Sequence, residues 1–173
     1  MEIAVSRSKI SGQVEIPGSK SHTIRAIVLA SLAKGTSTIK APLVSEDTVS
    51  CLQAASTLGA WIKRGDDTIW RISGTGGKLL QPAGVIDMGN SGTGLRLFTS
   101  IAARADFPIS FDGDESLRTR TMASLLAALQ AMGAKVESAN GKCPLSVTGP
   151  INGAEVTIEG KTSQYLSSLL FAA

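Results

Sequence analysis

The chain is organised around the stretch Pro17-Gly18-Ser19-Lys20-Ser21-His22-Thr23-Ile24-Arg25, which runs directly into the apolar segment 26–33. The proline and glycine predict a turn, and the following residues predict the first turns of a helix. A helix N-terminus offers unpaired backbone N–H groups and the positive end of the helix dipole, so it can bind an anion. Arg25 lies about one turn deeper than Lys20 and could reach toward the same anion. The other interpretation of this stretch is a helix cap followed by two solvated cations.

The composition sets limits on the fold and on the partners. The chain has 173 residues, enough for one domain with a core or for two small lobes. Its net charge of +3 suits small anionic substrates and is far from the basic stripe of a duplex-binding protein. Cys51 and Cys143 are isolated and His22 is the only histidine, so neither a disulfide framework nor a metal site is expected. Neither a signal peptide nor a membrane span is apparent, so we expect a cytoplasmic protein.

Hydrophobic alternation and capping residues predict a mixed α/β chain. The expected strands span about 2–6, 13–16, 36–40, 61–63, 68–72, 85–88, 108–112, 134–137, 145–148 and 155–159. The expected helices span about 21–33, 45–59, 95–103, 116–132 and 165–171, and Ser45 is the expected cap of the second. Segments 61–63 with 68–72, and 134–137 with 145–148, are predicted to form hairpins.

The order of these elements repeats along the chain. The phrase Leu58-Gly59-Ala60-Trp61-Ile62 corresponds to Met132-Gly133-Ala134-Lys135-Val136. Gly74, at the end of the first hairpin, corresponds to Gly149, which lies 75 residues later. The sequence therefore predicts repeated βαβαββ units, with a third unit beginning near residue 151. If the units pack around a pseudo-threefold axis, their first helices point N-termini into one region.

The equivalent helix starts carry small polar residues that leave backbone N–H groups open to a ligand. They are Ser19-Lys20-Ser21, Asn90-Ser91-Gly92-Thr93 and Thr162-Ser163-Gln164. Independent helix caps in a structural repeat are the alternative explanation. Arginines near these starts argue for anion binding, because a cap needs no guanidinium group, whereas bidentate recognition of phosphate or carboxylate does. These arginines are Arg25, Arg96, Arg118 and Arg120.

Three motifs resemble the signatures of the 5-enolpyruvylshikimate-3-phosphate synthases. They are Pro17-Gly18-Ser19-Lys20-Ser21 with Arg25 and Ala26; Gly89-Asn90-Ser91-Gly92-Thr93-Gly94 with Arg96; and Gly113-Asp114 with Ser116, Leu117 and Arg120. Many members of that family have a proline where this chain has Thr121. The UDP-N-acetylglucosamine enolpyruvyl transferases, with an Ala-Lys-Asn type of segment in place of Ser19-Lys20-Ser21, are the alternative.

The resemblance implies transfer of the enolpyruvyl group from phosphoenolpyruvate to the 5-hydroxyl of shikimate 3-phosphate. Phosphate is released, no metal or organic cofactor takes part, and the herbicide glyphosate is expected to occupy the phosphoenolpyruvate pocket. The implied shikimate 3-phosphate ligands are Lys20, Ser21, Arg25, Thr162, Ser163 and Gln164. The implied phosphoenolpyruvate ligands are Lys20, Asn90, Gly92, Thr93, Arg96, Arg120 and Gln164. Lys20 is also the implied proton donor, and hence the catalytic residue of this chain.

The resemblance also implies a domain arrangement: two lobes of three repeats each, with the active site between them. Residues 1–17 would then belong to the far lobe, and 18–173 to the substrate-binding lobe, with repeats at about 18–80 and 81–150 and a partial third at 151–173. The chain would need the remainder of the enzyme, in cis or as a second chain. A noncatalytic anion-binding or RNA-binding module is an alternative from another class. The scarcity of aromatic residues on the strands argues against RNA, and neither nucleic acid nor membrane is an expected partner.

Overall fold

A computed structural model describes residues 3–173 as two β-sheets and the helices packed with them. The strands are β1 (Thr36–Lys40), β2 (Trp61–Arg64), β3 (Ile69–Ser73), β4 (Ile86–Asp87), β5 (Ile109–Asp112), β6 (Lys135–Ser138) and β7 (Leu145–Thr148). The helices are α1 (Lys20–Leu32), α2 (Glu46–Thr57), α3 (Gly92–Ala102), α4 (Glu115–Arg118), α5 (Ala123–Ala131) and α6 (Ser163–Ala172).

The first sheet and three strands of the second share one topology, since β1-β3-β2 corresponds to β5-β7-β6. The first has the order β1-β3-β2 and is antiparallel throughout. The second has the order β4-β5-β7-β6, where β4 runs parallel to β5 and the other pairs are antiparallel. Both predicted hairpins are confirmed, with Ile62 opposite Ile72 in the first and Val136 opposite Val147 in the second.

The core lies between the sheets and is centred on α3, which packs against α1, α2 and α6. Most residues of α3 are buried, including Leu95, Leu97, Phe98 and Ile101. One continuous cluster joins them to side chains from both sheets, of which Trp70 and Phe111 are the largest. The N-terminus of α3 is therefore fixed firmly in the molecule, and this helix can serve as the rigid support of a site.

The predicted repeat is visible in matched backbone hydrogen bonds. Leu80 N donates to Leu58 O at 3.1 Å, and Asn152 N donates to Met132 O at 2.8 Å. The C-terminal ends of α1 and α3 also correspond. Gly76 N donates to Ala33 O at 3.0 Å, and Ile151 N donates to Ala103 O at 2.9 Å.

The corresponding glycines of the repeat are both pressed against carbonyls at the end of a helix. A Cβ on Gly74 would lie 2.3 Å from the carbonyl oxygens of Ala30 and Ala33, and one on Gly149 would lie 1.8 Å from that of Ala103. Only glycine fits such an approach, so the repeat keeps it at both places.

The strands predicted before α1 are not formed. Residues 3–17 make no ladder, and their apolar side chains are exposed, from 74% for Ile3 to 97% for Ile10. Alternation of apolar residues describes only one strand, whereas a strand also needs a partner, and none lies beside this segment within residues 3–173. Glu2, at the start of the first predicted strand, lies outside the described residues.

The strand predicted at 155–159 is also wrong, for the same reason. The segment has no ladder partner among the described residues, although Val156 and Ile158 are half-buried while their neighbours are exposed. Ile158 packs against the core. The alternation of apolar residues therefore indicates one packed face of the segment, without the hydrogen-bonded pairing of a strand.

The single helix predicted over 116–132 is in fact two helices, α4 and α5, with a break at residues 119–122. Met122 N donates to Gly141 O at 2.7 Å, so a bond to the turn of the second hairpin replaces the helical bond at that position. The Thr121 hydroxyl accepts from Ala123 N at 3.2 Å. The break places Arg120 outside either helix, free to turn toward α3.

Two features are absent from the described part of the chain. Among residues 3–173, no helix combines the length and the apolar character that a membrane crossing needs. The same residues contain no group of three or more His, Cys, Asp or Glu side chains that could hold a metal ion.

Candidate functional site

Each of the three equivalent helix starts, those of α1, α3 and α6, has a hydroxyl cap. Ser19 Oγ accepts from His22 N at 3.4 Å, Ser91 Oγ accepts from Gly94 N at 3.3 Å, and Thr162 Oγ1 accepts from Gln164 N at 3.2 Å. Each cap satisfies only one of the first N–H groups of its helix and leaves others available to a ligand.

Arg96 joins the N-termini of α3 and α6. Its Nη1 donates to Gly92 O at 3.1 Å and to Gln164 Oε1 at 2.6 Å. The guanidinium carbon lies 5.6 Å from the centroid of the Tyr165 ring, which fixes its plane through a cation–π contact. The Nε atom is buried and has no hydrogen-bond partner among residues 3–173. The guanidinium is thus held in place while part of its donor capacity remains unused.

Arg120 reaches the same helix start from the break between α4 and α5. Its Nη2 donates to Asn90 Oδ1 and, at 3.3 Å, to Ser116 Oγ; its Nη1 lies 3.5 Å from Asn90 O. Gly92 lies directly against both guanidinium groups. A Cβ there would be 2.8 Å from Arg120 Nη1 and 3.2 Å from Arg96 Nη1. Thus the absence of a side chain at Gly92 gives both arginines room at the helix start.

Arg25 connects α1 with α6. Its Nη1 donates to Ser21 O at 3.2 Å, and its Nη2 donates to Ser167 Oγ at 3.3 Å. Ser167 lies one turn after Ser163, to whose carbonyl its hydroxyl donates at 2.9 Å. The Arg25 side chain therefore reaches α6 at Ser167, and Ser21 and Ser163 are both exposed.

Lys20 has a partner that the sequence analysis missed. Its Nζ lies 2.6 Å from Asp47 Oδ2, with 50% of the Lys20 side chain exposed and 20% of the Asp47 side chain. Asp47 lies in the first turn of α2, where an acidic residue interacts favourably with the positive end of the helix dipole. That local explanation hid its second role, which depends on how α1 and α2 pack. Within residues 3–173, neither a hydrogen bond nor an ion pair joins Lys20 to the group around Arg96 and Arg120.

Arg118 does not take part in the group of arginines with which the sequence analysis placed it. It makes two hydrogen bonds to Asp112, Nε to Oδ1 at 2.9 Å and Nη2 to Oδ2 at 2.5 Å. The Arg118 hydrogen bond holds the pKa of Asp112 below its usual value. This pair is neutral overall, so Arg118 is occupied by the protein itself.

The remaining arginines contrast with that pair. Within residues 3–173, no carboxylate oxygen lies within salt-bridge distance of Arg25, Arg96 or Arg120. Their partners are carbonyl, amide and hydroxyl oxygens, which orient a guanidinium without neutralising it. A region with oriented cations and open helix N-termini can bind phosphate or carboxylate groups.

The structure thus brings together Asn90, Gly92, Arg96, Arg120 and Gln164 as one connected group, with Thr93 half-buried in the same first turn of α3. Arg25 contacts Ser21 O within α1 and Ser167 of α6, and Lys20 contacts Asp47 of α2. Sequence reasoning missed Asp47, Tyr165 and Ser167 as side chains that hold these residues.

Comparison with known proteins identifies the family of the chain. A family model described as EPSP synthase (3-phosphoshikimate 1-carboxyvinyltransferase) matches residues 5–173. A 3-phosphoshikimate 1-carboxyvinyltransferase of Methanocorpusculum labreanum is 49% identical over 100% of this chain and 41% of its own length. One from Acetivibrio thermocellus is 45% identical over 98% of this chain and 40% of its own length.

A solved structure shows the same fold. The EPSP synthase of Acinetobacter baumannii superposes with a TM-score of 0.87 and 32% identity, over 93% of this chain and 37% of that protein. The chain therefore spans about two fifths of the length of the curated relatives it matches.

Proposed function

The chain belongs to the EPSP synthase family, a family of transferases, and on this basis we propose that it forms part of an enolpyruvyl transferase. The proposed reaction moves the enolpyruvyl group of phosphoenolpyruvate onto the 5-hydroxyl of shikimate 3-phosphate and releases phosphate. The observation that carries the proposal is the connected group of Arg96, Arg120, Asn90 and Gln164 around Gly92. It combines a helix N-terminus with two cations that make no salt bridge to a carboxylate within residues 3–173, and this combination suits a phosphate dianion.

We assign the phosphoenolpyruvate phosphate to the start of α3. Arg120 and Arg96 flank Gly92, so an anion at the backbone there would meet both guanidinium groups and the first N–H groups of the helix. Asn90, Thr93 and Gln164 complete this set, as the motif resemblance implies. Lys20 is the remaining proposed ligand and would approach from α1.

We assign shikimate 3-phosphate to the region between α1 and α6. Arg25 spans it through Ser21 O and Ser167 Oγ, and the exposed hydroxyl of Ser163 lies one turn from Ser167. The other proposed ligands are Lys20, Ser21, Thr162 and Gln164. Gln164 would contact both substrates, since it lies at the start of α6 and already accepts from Arg96.

The chemistry begins with delivery of a proton to the methylene carbon of phosphoenolpyruvate, while the hydroxyl oxygen attacks the adjacent carbon and loses its own proton. The C–O bond to phosphate later breaks, and removal of a methyl proton restores the double bond. Lys20 is the proposed donor. Its contact with Asp47 would direct the ammonium group while half of its side chain stays accessible. The base that removes the second proton is proposed to come from the remainder of the enzyme.

The proposed partner is therefore the remainder of the enzyme, in cis or as a second chain. The exposed apolar side chains support this: Leu166 and Leu170 of α6 are 57% and 65% exposed, and Leu29 of α1 is 51% exposed. We propose that residues 18–173 form most of one substrate-binding lobe and that 1–17 pair with the other. The cytoplasmic location stays a prediction.

Phosphate release in the presence of both substrates tests the function. We expect no turnover from the 173-residue chain alone and turnover when a chain carrying the remainder is added, with the two copurifying. Product at ordinary enzyme rates from the chain alone, running as a monomer, would show that the proposed dependence on a partner is wrong.

A pair of matched variants tests the site. Arg120→Lys keeps the charge but loses the guanidinium fork, so phosphoenolpyruvate should bind more weakly. Arg118→Lys makes the same change two positions earlier, on a residue already paired with Asp112, and should leave that affinity unchanged. Equal affinities for both variants and the wild type would contradict the assignment.

Binding titrations with the candidate ligands would distinguish the proposed function from the two alternative functions. Binding of UDP-N-acetylglucosamine in place of shikimate 3-phosphate would favour the related transferases. RNA binding that falls steeply between two salt concentrations, with no response to shikimate 3-phosphate, would favour a nucleic-acid module.

A further inference from the structure

Asp114 holds two different elements with its two carboxylate oxygens. As the N-cap of α4, its Oδ1 accepts from Leu117 N at 2.7 Å. Its Oδ2 accepts from the side-chain Nδ2 of Asn90 at 2.7 Å. Its own backbone N–H donates to Gly89 O at 2.9 Å, which ties the two loops together. A cap needs only the first of these bonds, so the second requires its own explanation.

The bond to Asp114 decides which way the Asn90 amide faces. An amide presents an acceptor on one side and two donors on the other. Because Nδ2 is bound to the carboxylate, Oδ1 is turned toward Arg120 and accepts from its Nη2. With the amide reversed, an NH2 group would face the guanidinium, and two donors would oppose each other.

We infer that Asp114 is a positioning residue, which fixes Asn90 so that Asn90 in turn holds the Arg120 guanidinium beside Gly92. This inference rests on the proposed function in so far as Asn90 and Arg120 bind phosphoenolpyruvate. Asp114 itself is not proposed to touch the substrate.

The ionisation of Asp114 supports this arrangement. The hydrogen bond from Leu117 N, followed by that from the Asn90 amide, holds its pKa below the usual value. At neutral pH the group is therefore a carboxylate, which accepts hydrogen bonds and donates none. A group that can only accept leaves the Asn90 amide a single favourable orientation.

Two substitutions separate positioning from capping, because Asn, Ser and Asp cap helices almost equally well. In Asp114→Asn, one oxygen can still accept from Leu117 N, but the amide NH2 then faces Asn90 and favours its reversed orientation. Asp114→Ser keeps the cap and removes the second partner without favouring reversal. Asp112→Asn is the matched control. It also removes one negative charge, but at Asp112, which lies two residues before Asp114 and pairs with Arg118.

The first measurement uses the 173-residue chain without ligand. Side-chain amide and guanidinium NMR signals report Asn90 and Arg120 directly. We expect both signals to move in Asp114→Asn, Asn90 alone to lose protection in Asp114→Ser, and neither to change in Asp112→Asn. Unchanged Asn90 and Arg120 signals in Asp114→Asn would overturn the inference, whatever the chain binds.

The second measurement is the affinity for phosphoenolpyruvate, and the KM for it once the partner chain is present. We expect a loss of about tenfold for Asp114→Asn, a smaller loss for Asp114→Ser and none for Asp112→Asn, with similar melting temperatures throughout. Equal affinities in Asp114→Asn and wild type would also overturn it. If the NMR signals move as expected but the wild type binds no phosphoenolpyruvate, the positioning link stands and the proposed function fails.

Discussion

Replacing Gly92 by alanine adds one methyl group at the point where the two arginines meet. The new Cβ would lie 2.8 Å from Arg120 Nη1, 3.2 Å from Arg96 Nη1 and 3.6 Å from Arg120 Cδ. Ordinary van der Waals contact begins near 3.4 Å, so the Arg120 guanidinium must retreat by about 0.6 Å. The end of a long side chain can make that move, so the variant is expected to fold.

The retreat has a calculable cost to ligand binding. The contact from Arg120 Nη1 to Asn90 O is already 3.5 Å long and would be lost. Displacing a guanidinium by this amount from a bound phosphate loses one charged hydrogen bond, worth about 1.5–3 kcal/mol. Phosphoenolpyruvate should therefore bind roughly 10–150-fold more weakly. Glyphosate, expected in the same pocket, should lose more, because the bulkier inhibitor has less room to retreat.

Steady-state kinetics of the enzyme completed with the proposed remainder, in cis or as a second chain, would measure both effects. Gly84→Ala is the control, because a Cβ there meets nothing within 4 Å. The melting temperature of Gly92→Ala should stay close to that of the wild type. The cost of displacing the Arg120 side chain is offset by the helix propensity of alanine, which is about 1 kcal/mol more favourable than that of glycine. Equal glyphosate inhibition constants for Gly92→Ala and wild type would refute the reasoning.

Three further predictions concern different parts of the molecule. Lys20→Arg keeps the charge beside Asp47 but loses the compact titratable donor, so turnover should fall about 100-fold or more; near-normal turnover would make Lys20 an electrostatic clamp only. Gly149→Ala places a methyl 1.8 Å from Ala103 O, so thermal unfolding should show a loss of about 3 kcal/mol or more, and an unchanged melting temperature would contradict the packing. Burial raises the pKa of the Cys51 thiol to about 12, so at pH 8 almost no thiolate forms and iodoacetamide should modify Cys51 only after unfolding; mass spectrometry of the folded chain would reveal any earlier reaction.

Features decided by near neighbours in the sequence could be predicted. The hydroxyl cap of α2 is Ser45, which accepts from Thr48 N as the capping position implies. The hairpins follow from short polar turns between apolar runs, and the matched phrases around Gly59 and Gly133 locate the repeat. These sequence signals can be identified without knowing how the helices and sheets pack against one another.

Features decided by distant partners could not be predicted. Apolar alternation at 155–159 is present, but a strand exists only when another strand lies beside it. The helix break before α5 depends on Gly141, which lies in a turn almost twenty residues later. Helical propensity carries no information about such a bond.

The candidate site divides in the same way. The motifs placed Asn90, Arg96 and Arg120 near helix starts, and the structure brings them together. Their supports were not visible in the sequence. Asp47 and Asp114 each have a local reason to be acidic, at a helix N-terminus, and this reason conceals the contacts that they make with other elements.

The lack of a carboxylate partner for Arg25, Arg96 and Arg120 within residues 3–173 also affects how fast a ligand arrives. Fixed positive charge attracts anions over a distance set by the ionic strength, about 10 Å at 0.1 M salt and about 30 Å at 0.01 M. Association with a phosphorylated ligand should therefore slow as salt is added, while dissociation, governed by short-range hydrogen bonds, changes less. Had each arginine been paired like Arg118 with Asp112, the same donors would be present without this long-range attraction. Orienting cations with neutral oxygens thus gives the chain both an ordered binding surface and a field that guides anions onto it.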